Sequence, residues 1–217
     1  LAQYQRHWKV TDIFGNTSTC TDIITVERPT EVDFPNDKYW LCTQVNSNPG
    51  LVNATRTGSG IPSNVSGGFC NFDISFSDDK IFTCPGTTRA YDIVRTWTVI
   101  DWCVGEPITV GVGGEDNVQL IHVADTIAPV INANSLIVDA NIPGVHPLPC
   151  RSTEMIPNPS VTDNCTGIAN ININTQVGEV VNGHIPAPGL PIGYHIVTIQ
   201  AFDRCGNVAT KEVVLQV

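Results

Sequence analysis

Hydrophobic and polar side chains alternate with a period of two along several short stretches of this chain, and no stretch of ten or more residues shows a period of 3.6. Over residues 194–203, His195, Val197, Ile199 and Ala201 fall on one side of an extended chain, and Tyr194, Ile196, Thr198 and Gln200 fall on the other. The same alternation pairs Trp8 with Val10 and Trp97 with Val99 on an equivalent inner face. Each stretch ends in an aspartate (Asp12, Asp101, Asp203), and Gly15-Asn16 or Gly206-Asn207 then supplies a turn that tolerates positive φ. A closing strand follows at 22–26, 119–123 and 213–217. The pattern predicts three strand hairpins and minimal helix.

The three hairpins are copies of one plan. Arg6-His-Trp-Lys-Val-Thr-Asp12 aligns with Arg95-Thr-Trp-Thr-Val-Ile-Asp101 and with Val197-Thr-Ile-Gln-Ala-Phe-Asp203. The interval is 89 residues from Trp8 to Trp97 and 102 from Trp97 to Ile199, the length of an immunoglobulin-type sandwich. The expected fold class is therefore all-β, with tandem immunoglobulin-like β-sandwich domains in a rod. Residues 1–26 read as the last two strands of a truncated repeat, 27–124 as a complete repeat with a long hairpin insertion at 104–117, and 125–217 as a second complete repeat. Asp125-Thr-Ile-Ala-Pro-Val130 is a short joint stiffened by proline. On this reading the chain is an excerpt of a longer protein. Its first two strands would be completed by a missing upstream half or by a neighbouring copy.

Composition agrees with short strands and many turns. Val, Ile and Thr dominate, and 18 glycines and 15 prolines are spread along the chain. A formal charge of −10 argues against nucleic acid, which needs clustered Lys and Arg. No apolar run approaches the length of a membrane span, so membrane insertion is not expected. Eight cysteines without a Cys-x-x-Cys pair, and dispersed histidines, point to disulfides in an oxidising compartment rather than to zinc. The repeat places Cys165 and Cys205 at the same end of one sandwich, which pairs them. Their counterparts are Cys70 and Cys103, leaving Cys42 with Cys84. Four cysteines allow three connectivities, and the sequence does not decide among them. Cys150 is left over.

Pro159-Ser-Val-Thr-Asp-Asn-Cys165, Leu190-Pro-Ile-Gly-Tyr194 and Ala201-Phe-Asp-Arg-Cys-Gly-Asn207 resemble the hyalin-repeat family of immunoglobulin-like modules. Arg95-Thr-Trp-Thr-Val-Ile-Asp-Trp-Cys103, followed by Asp125-Thr-Ile-Ala-Pro-Val130, resembles the variant in giant Bacteroidetes surface proteins, including gliding-motility adhesins exported by the type IX route. The resemblance implies cell-surface display, adhesion or spacing, and no catalysis. Hyalin repeats often bridge a first-strand Cys to a last-strand Cys. Cys20 occupies that last-strand position, so the resemblance implies a partner in the missing half-domain, or in another chain. Asp125-Thr126-Ile127 also resembles a Bacteroidetes O-glycosylation sequon, which would place a glycan on Thr126.

Candidate chemistry lies at the strand ends. Asp101, Asp125, Asp163 and Asp203, with Asp12, Asp78 and Asp79, are loop-end carboxylates, and calcium wants six to eight oxygens. The competing reading is that these aspartates only cap turns by bonding to their own backbone, and no Asp-x-Asp-x-Asp-Gly loop is present. Calcium is therefore the one candidate ion, and no other cofactor is expected. Tyr39, Trp40 and Trp102 are candidate ligand-contact aromatics, weighed against packing in a core or interface. Asn-x-Ser/Thr sequons at Asn16, Asn53, Asn64 and Asn164 matter only in a eukaryotic secretory host. No nucleophile elbow, His-Glu-x-x-His or phosphate loop occurs, so no catalytic residues are assigned. The resulting expectation is a non-catalytic segment of a large extracellular, cell-surface adhesin or filament. Its partners would be adjacent repeats, neighbouring copies, surface glycans or other surface proteins. The alternative is an accessory, carbohydrate-binding module of a secreted enzyme.

Overall fold

The computed structural model describes residues 2–26, 32–65, 71–102, 105–111, 113–144 and 149–217. In chain order the strands are β1 (Ala2–Thr11), β2 (Thr17–Val26), β3 (Lys38–Leu41), β4 (Phe72–Phe82), β5 (Tyr91–Asp101), β6 (Glu106–Ile108), β7 (Val118–Ala124) and β8 (Val130–Asn132). The remainder are β9 (Leu136–Ile137), β10 (Arg151–Ser152), β11 (Ser160–Thr162), β12 (Ile168–Thr175), β13 (Gly178–Glu179), β14 (Leu190–Pro191), β15 (Tyr194–Asp203) and β16 (Val208–Gln216). Among the described residues, helix is confined to the six residues of α1 (Cys42–Ser47) and a 3-10 turn at Pro49–Val52. α1 starts where the Leu41 N–H donates to the Gln44 side chain at 2.8 Å.

The chain forms two compact units. One comprises Leu1–Asp37, Ala54–Asp78 and Arg95–Gln119, and the other Lys38–Asn53, Asp79–Val94 and Leu120–Val217. β4, β5 and β7 each contribute residues to both.

In the second unit, the strands β8 to β16 form a β-sandwich. One sheet has the order β13-β12-β15-β16-β9, and the facing layer is built from the short pairs β8–β11 and β10–β14. The first strand of the sandwich is split. β8 pairs antiparallel with β11, after which the chain switches so that β9 runs parallel to β16. The expected alternation of β15 is observed, with His195, Val197, Ile199, Ala201 and Asp203 all buried. Of these, Val197, Ile199 and Ala201 meet Val213 and Leu215 of β16, Ile173 of β12, and Ile131, Ile156, Ile185 and Leu190 from the other layer, forming one apolar core. A second core in this unit gathers Cys42, Val45, Tyr91, Ile93, Ile121, Val123 and Cys165, with Trp40 packed against it. Here β3 runs parallel to β7, with Tyr39 beside His122 and Trp40 beside Val123.

In the first unit, Val32, Phe34, Trp97 and Val99 form the core, and β6 folds back antiparallel on β5 with Val99 opposite Ile108. The insertion expected at 104–117 thus begins as a return strand, and Val110 then bridges Asp116 across a turn. Arg95 is buried beside the core. Its guanidinium makes two bonds of 2.7 Å to the Asp78 carboxylate, donates to Ser59 at 2.6 Å, and lies over the rings of Phe76 and Trp97.

β1 and β2 pair over ten residues, with Trp8 opposite Cys20 and Val10 opposite Ser18. Trp8 and Val10 share a face, as the alternation requires, but they are exposed, as are Tyr4 and Ile24. Trp97, the equivalent of Trp8, is 1% exposed, whereas Trp8 is 50% exposed. Among the described residues no apolar layer covers the hairpin. The ladder, an exposed Arg6–Asp22 ion pair at 2.6 Å, a His7–Thr21 hydrogen bond and the Arg6 guanidinium over the Trp8 ring all contribute to holding it. An isolated two-stranded ribbon is marginal, and an exposed, solvent-screened ion pair adds little to it. Limited proteolysis of the full chain should therefore cut first within residues 1–26. A hairpin that survives as long as β15–β16 would contradict the exposed reading.

Candidate metal centre at the Asp125 joint

The strand-ending aspartates are held by a repeated local device. Asp203 Oδ1 accepts from the N–H groups of Cys205 and Asn207 at 2.8 and 2.9 Å, and its Oδ2 accepts from Asn207 Nδ2 at 2.7 Å. Asp12 does the same, taking N–H donors from Phe14 and Asn16 on Oδ1 and Asn16 Nδ2 on Oδ2. The register repeats as well. Trp8 faces Cys20 in one hairpin and Ile199 faces Lys211 in the other, a separation of 12 residues in both. Asp163 forms a similar turn, with Oδ2 accepting from the N–H groups of Cys165 and Gly167 at 2.9 and 2.7 Å. These are Asx-type turns, in which a carboxylate satisfies backbone donors that have no ladder partner. At Asp12 the Asn16 side chain and the turn N–H groups hold the carboxyl below the usual carboxylate range. The group's contribution to the turn is thus present above the ordinary Asp value and lost only as pH falls through the lowered one.

Around the joint, three of these carboxylates converge. Oxygens of Asp125, Asp163 and Asp203 lie within 4.8 Å of one another. Asp125 and Asp203 are buried, at 7% and 2% exposure. Asp125 Oδ2 accepts from the buried Thr166 hydroxyl at 2.6 Å and its Oδ1 from the Ile127 N–H at 3.2 Å. Asn207 Nδ2 also reaches the Asp125 main-chain oxygen at 3.1 Å, tying the joint to the β15–β16 turn. Asp163 Oδ1 is shielded from solvent and takes no hydrogen bond. Arg89 donates to the main-chain oxygen of Cys165 at 3.2 Å, but none of the three carboxylates has an ion-pair partner among the described residues. At an effective dielectric of about 20, unit charges 4.8 Å apart repel by roughly 3.5 kcal/mol per pair.

Disulfides flank the cluster and correct the expected pairing. Cys42 is bonded to Cys165 and Cys84 to Cys205, with Cα–Cα separations of 6.1 and 4.9 Å. All four cysteines are bridged as expected, but Cys165–Cys205 and Cys42–Cys84 are not the pairs. The loops carrying Cys165 and Cys205 do lie at one end of the sandwich. At that end, however, each meets a cysteine from before the joint, Cys42 at the start of α1 or Cys84 in the β4–β5 loop, at bridging distance. Both bridges therefore span the sequence boundary at 124/125. Cys70 and Cys103 lie outside the described residues. Cys20 and Cys150 are free and exposed.

The remaining candidates fall in different places. Asp101, expected alongside the cluster residues, belongs to the first unit and is not in the group; it is buried, and its main-chain oxygen accepts from Gly105. Tyr39 and Trp102 are exposed, at 59% and 62%, whereas Trp40 packs against a core. Tyr39 lies 6.2 Å from the His122 ring, and His122 Nδ1 is 2.8 Å from Asp92 Oδ1. Thr126 is exposed. The sequence reading missed Thr166 and Asn207. Their signal was available in the Asp-x-x-x-Asn and Asp-x-x-Thr spacings of 203–207 and 163–166, which place polar side chains on the same turns.

No family model matches the chain, and no curated protein matches it. Solved structures with some likeness include a protocadherin gamma B7 EC3–6 cis-dimer, at 14% identity and a TM-score of 0.34, covering 99% of this chain and 58% of that one. Another is protocadherin gamma C5 EC1–3, at 12% identity and a TM-score of 0.33, covering 99% and 77%. The chain thus spans little more than half the length of the first of these. Likeness at this level supports no statement about activity. No helix among the described residues is long and apolar enough to cross a membrane.

Proposed function

We propose that this chain is a non-catalytic repeat segment of a large extracellular surface adhesin or filament, serving as spacer, display and adhesion module. The repeats would be 1–26, 27–124 and 125–217, of the hyalin type found in Bacteroidetes surface proteins. The observation that carries this reading is the hairpin built twice to one specification. β1–β2 and β15–β16 share the 12-residue register and the same three bonds to the turn aspartate. Modules repeated on one plan act as spacers or binders more often than as catalysts. Two disulfides at the 124/125 joint fit an oxidising, extracellular setting and a segment that carries load.

Antibody raised against residues 27–217 should label intact, unpermeabilised cells of the source organism, and deletion of the segment should reduce their attachment. Labelling only after permeabilisation would overturn the reading. One observation favours the accessory carbohydrate-binding alternative: the exposed Tyr39 ring beside the His122–Asp92 pair has the form of a stacking platform with polar groups at its edge. Saturable binding on a glycan array, lost in Tyr39→Ala, would move the assignment to that reading.

A further inference from the structure

We propose that Asp125, Asp163 and Asp203 together hold a calcium ion at the joint preceding the last repeat. This goes beyond the repeat-segment reading and does not depend on it.

The charge balance comes first. Three carboxylates share a space less than 5 Å across, two of them more than nine-tenths buried, with no cationic side chain paired to any of them among the described residues. Buried charge of one sign is costly unless something neutralises it. The second, independent observation is Asp163 Oδ1. It is cut off from solvent and has no donor, although the other oxygen of the same carboxylate takes two. An acceptor without a donor, on a carboxylate grouped with two others, is one that a bound cation would satisfy.

The donor set selects the ion. Every candidate ligand atom is oxygen: three carboxylates, with the Thr166 hydroxyl already on Asp125. Cys42 and Cys165 also lie close to Asp125, but their sulfurs are bonded to each other and offer no thiolate. With no imidazole or thiolate in the group, soft and borderline metals are disfavoured and a hard divalent cation is favoured. The Asx turns aim the carboxylates in advance. Asp163 and Asp203 are each fixed by two backbone N–H groups, and each turn carries a disulfide cysteine two residues on, so little ordering is left for the ion to impose. Calcium accepts mixed, irregular oxygen shells completed by water, whereas magnesium demands a near-ideal octahedron. Asp12 supplies an internal contrast, since it has the same turn but is exposed and, among the described residues, has no carboxylates grouped with it.

The test uses the full, oxidised chain, stripped with EDTA and dialysed. Titration with CaCl2 by calorimetry should give a saturable isotherm, and thermal unfolding at a hundred-fold excess over Kd should shift upward by roughly 5 °C or more. MgCl2 should bind at least about ten-fold more weakly. Asp163→Asn should lose at least about ten-fold in calcium affinity, while Asp12→Asn should leave the isotherm unchanged. Near-UV circular dichroism establishes that each variant is folded. If Asp163→Asn fails to fold, Asp125→Asn takes its place with the same expectation. A wild-type chain with neither heat nor thermal shift up to 10 mM CaCl2, or calcium binding that survives both substitutions, would overturn the assignment.

Discussion

Non-reducing peptide mapping should recover Cys42 linked to Cys165 and Cys84 linked to Cys205, and removing either bridge should cost about 2–5 kcal/mol of stability. The bridges close chain segments of 123 and 121 residues, and loops of that size restrict the unfolded chain strongly. They also overlap. With Cys84–Cys205 intact, the unfolded route between Cys42 and Cys165 runs through 84 − 42 = 42 and 205 − 165 = 40 residues, about 80 in place of 123. Loop entropy grows only logarithmically, so the shorter route lowers the first bridge's contribution by only about 0.4 kcal/mol. Cys42→Ala with Cys165→Ala is the cleaner double substitution, because both residues are buried and serine would add an unsatisfied hydroxyl. The measurement is the urea midpoint at constant m. A Cys165–Cys205 peptide in the map would overturn the connectivity.

The second large effect is expected at Arg95. Asp78→Asn should destabilise the chain by about 3–5 kcal/mol, because it leaves a guanidinium only 3% exposed without its carboxylate. Arg95→Met should cost less, on the order of 2–3 kcal/mol. Asp78 is 31% exposed and can recover hydration, and the methionine retains apolar contact with Phe76 and Trp97. Equilibrium denaturation of the two variants checks the ranking. If Arg95→Met proved the worse, the stacking of the guanidinium on the rings would outweigh the ion pair. The Asp12 turn, by contrast, is exposed, and its substitution should register in local hydrogen exchange rather than in global stability.

Much of the fold was legible because its signals are local. The period-two alternation of residues 195–203 identifies a strand and its inner face, since successive side chains must point to opposite sides of an extended backbone. The aspartate at each strand end and the following Gly-Asn are likewise local, and the two described turns, at Asp12 and Asp203, form the same bonds. The candidate site was legible as a list of residues. Asp125, Asp163 and Asp203 were nameable as loop-end carboxylates, but Asp101 carried the same signal and lies elsewhere.

The period, the strands and the turn chemistry are readable along the chain because each depends on interactions within about ten residues. Tertiary structure alone decided what those elements meet. Trp8 and Trp97 occupy equivalent positions in equivalent strands, yet one is exposed and the other buried, because burial is a property of the facing layer and not of the strand. Cys165 and Cys205 share an end of one sandwich but bond to Cys42 and Cys84, more than 120 residues earlier, because a disulfide requires Cα atoms within about 7 Å whatever their separation along the chain. The carboxylate cluster has the same origin. Three turns spread over residues 125–207 converge because one strand pairing and two cross-links bring their ends together, and no local pattern encodes that distance.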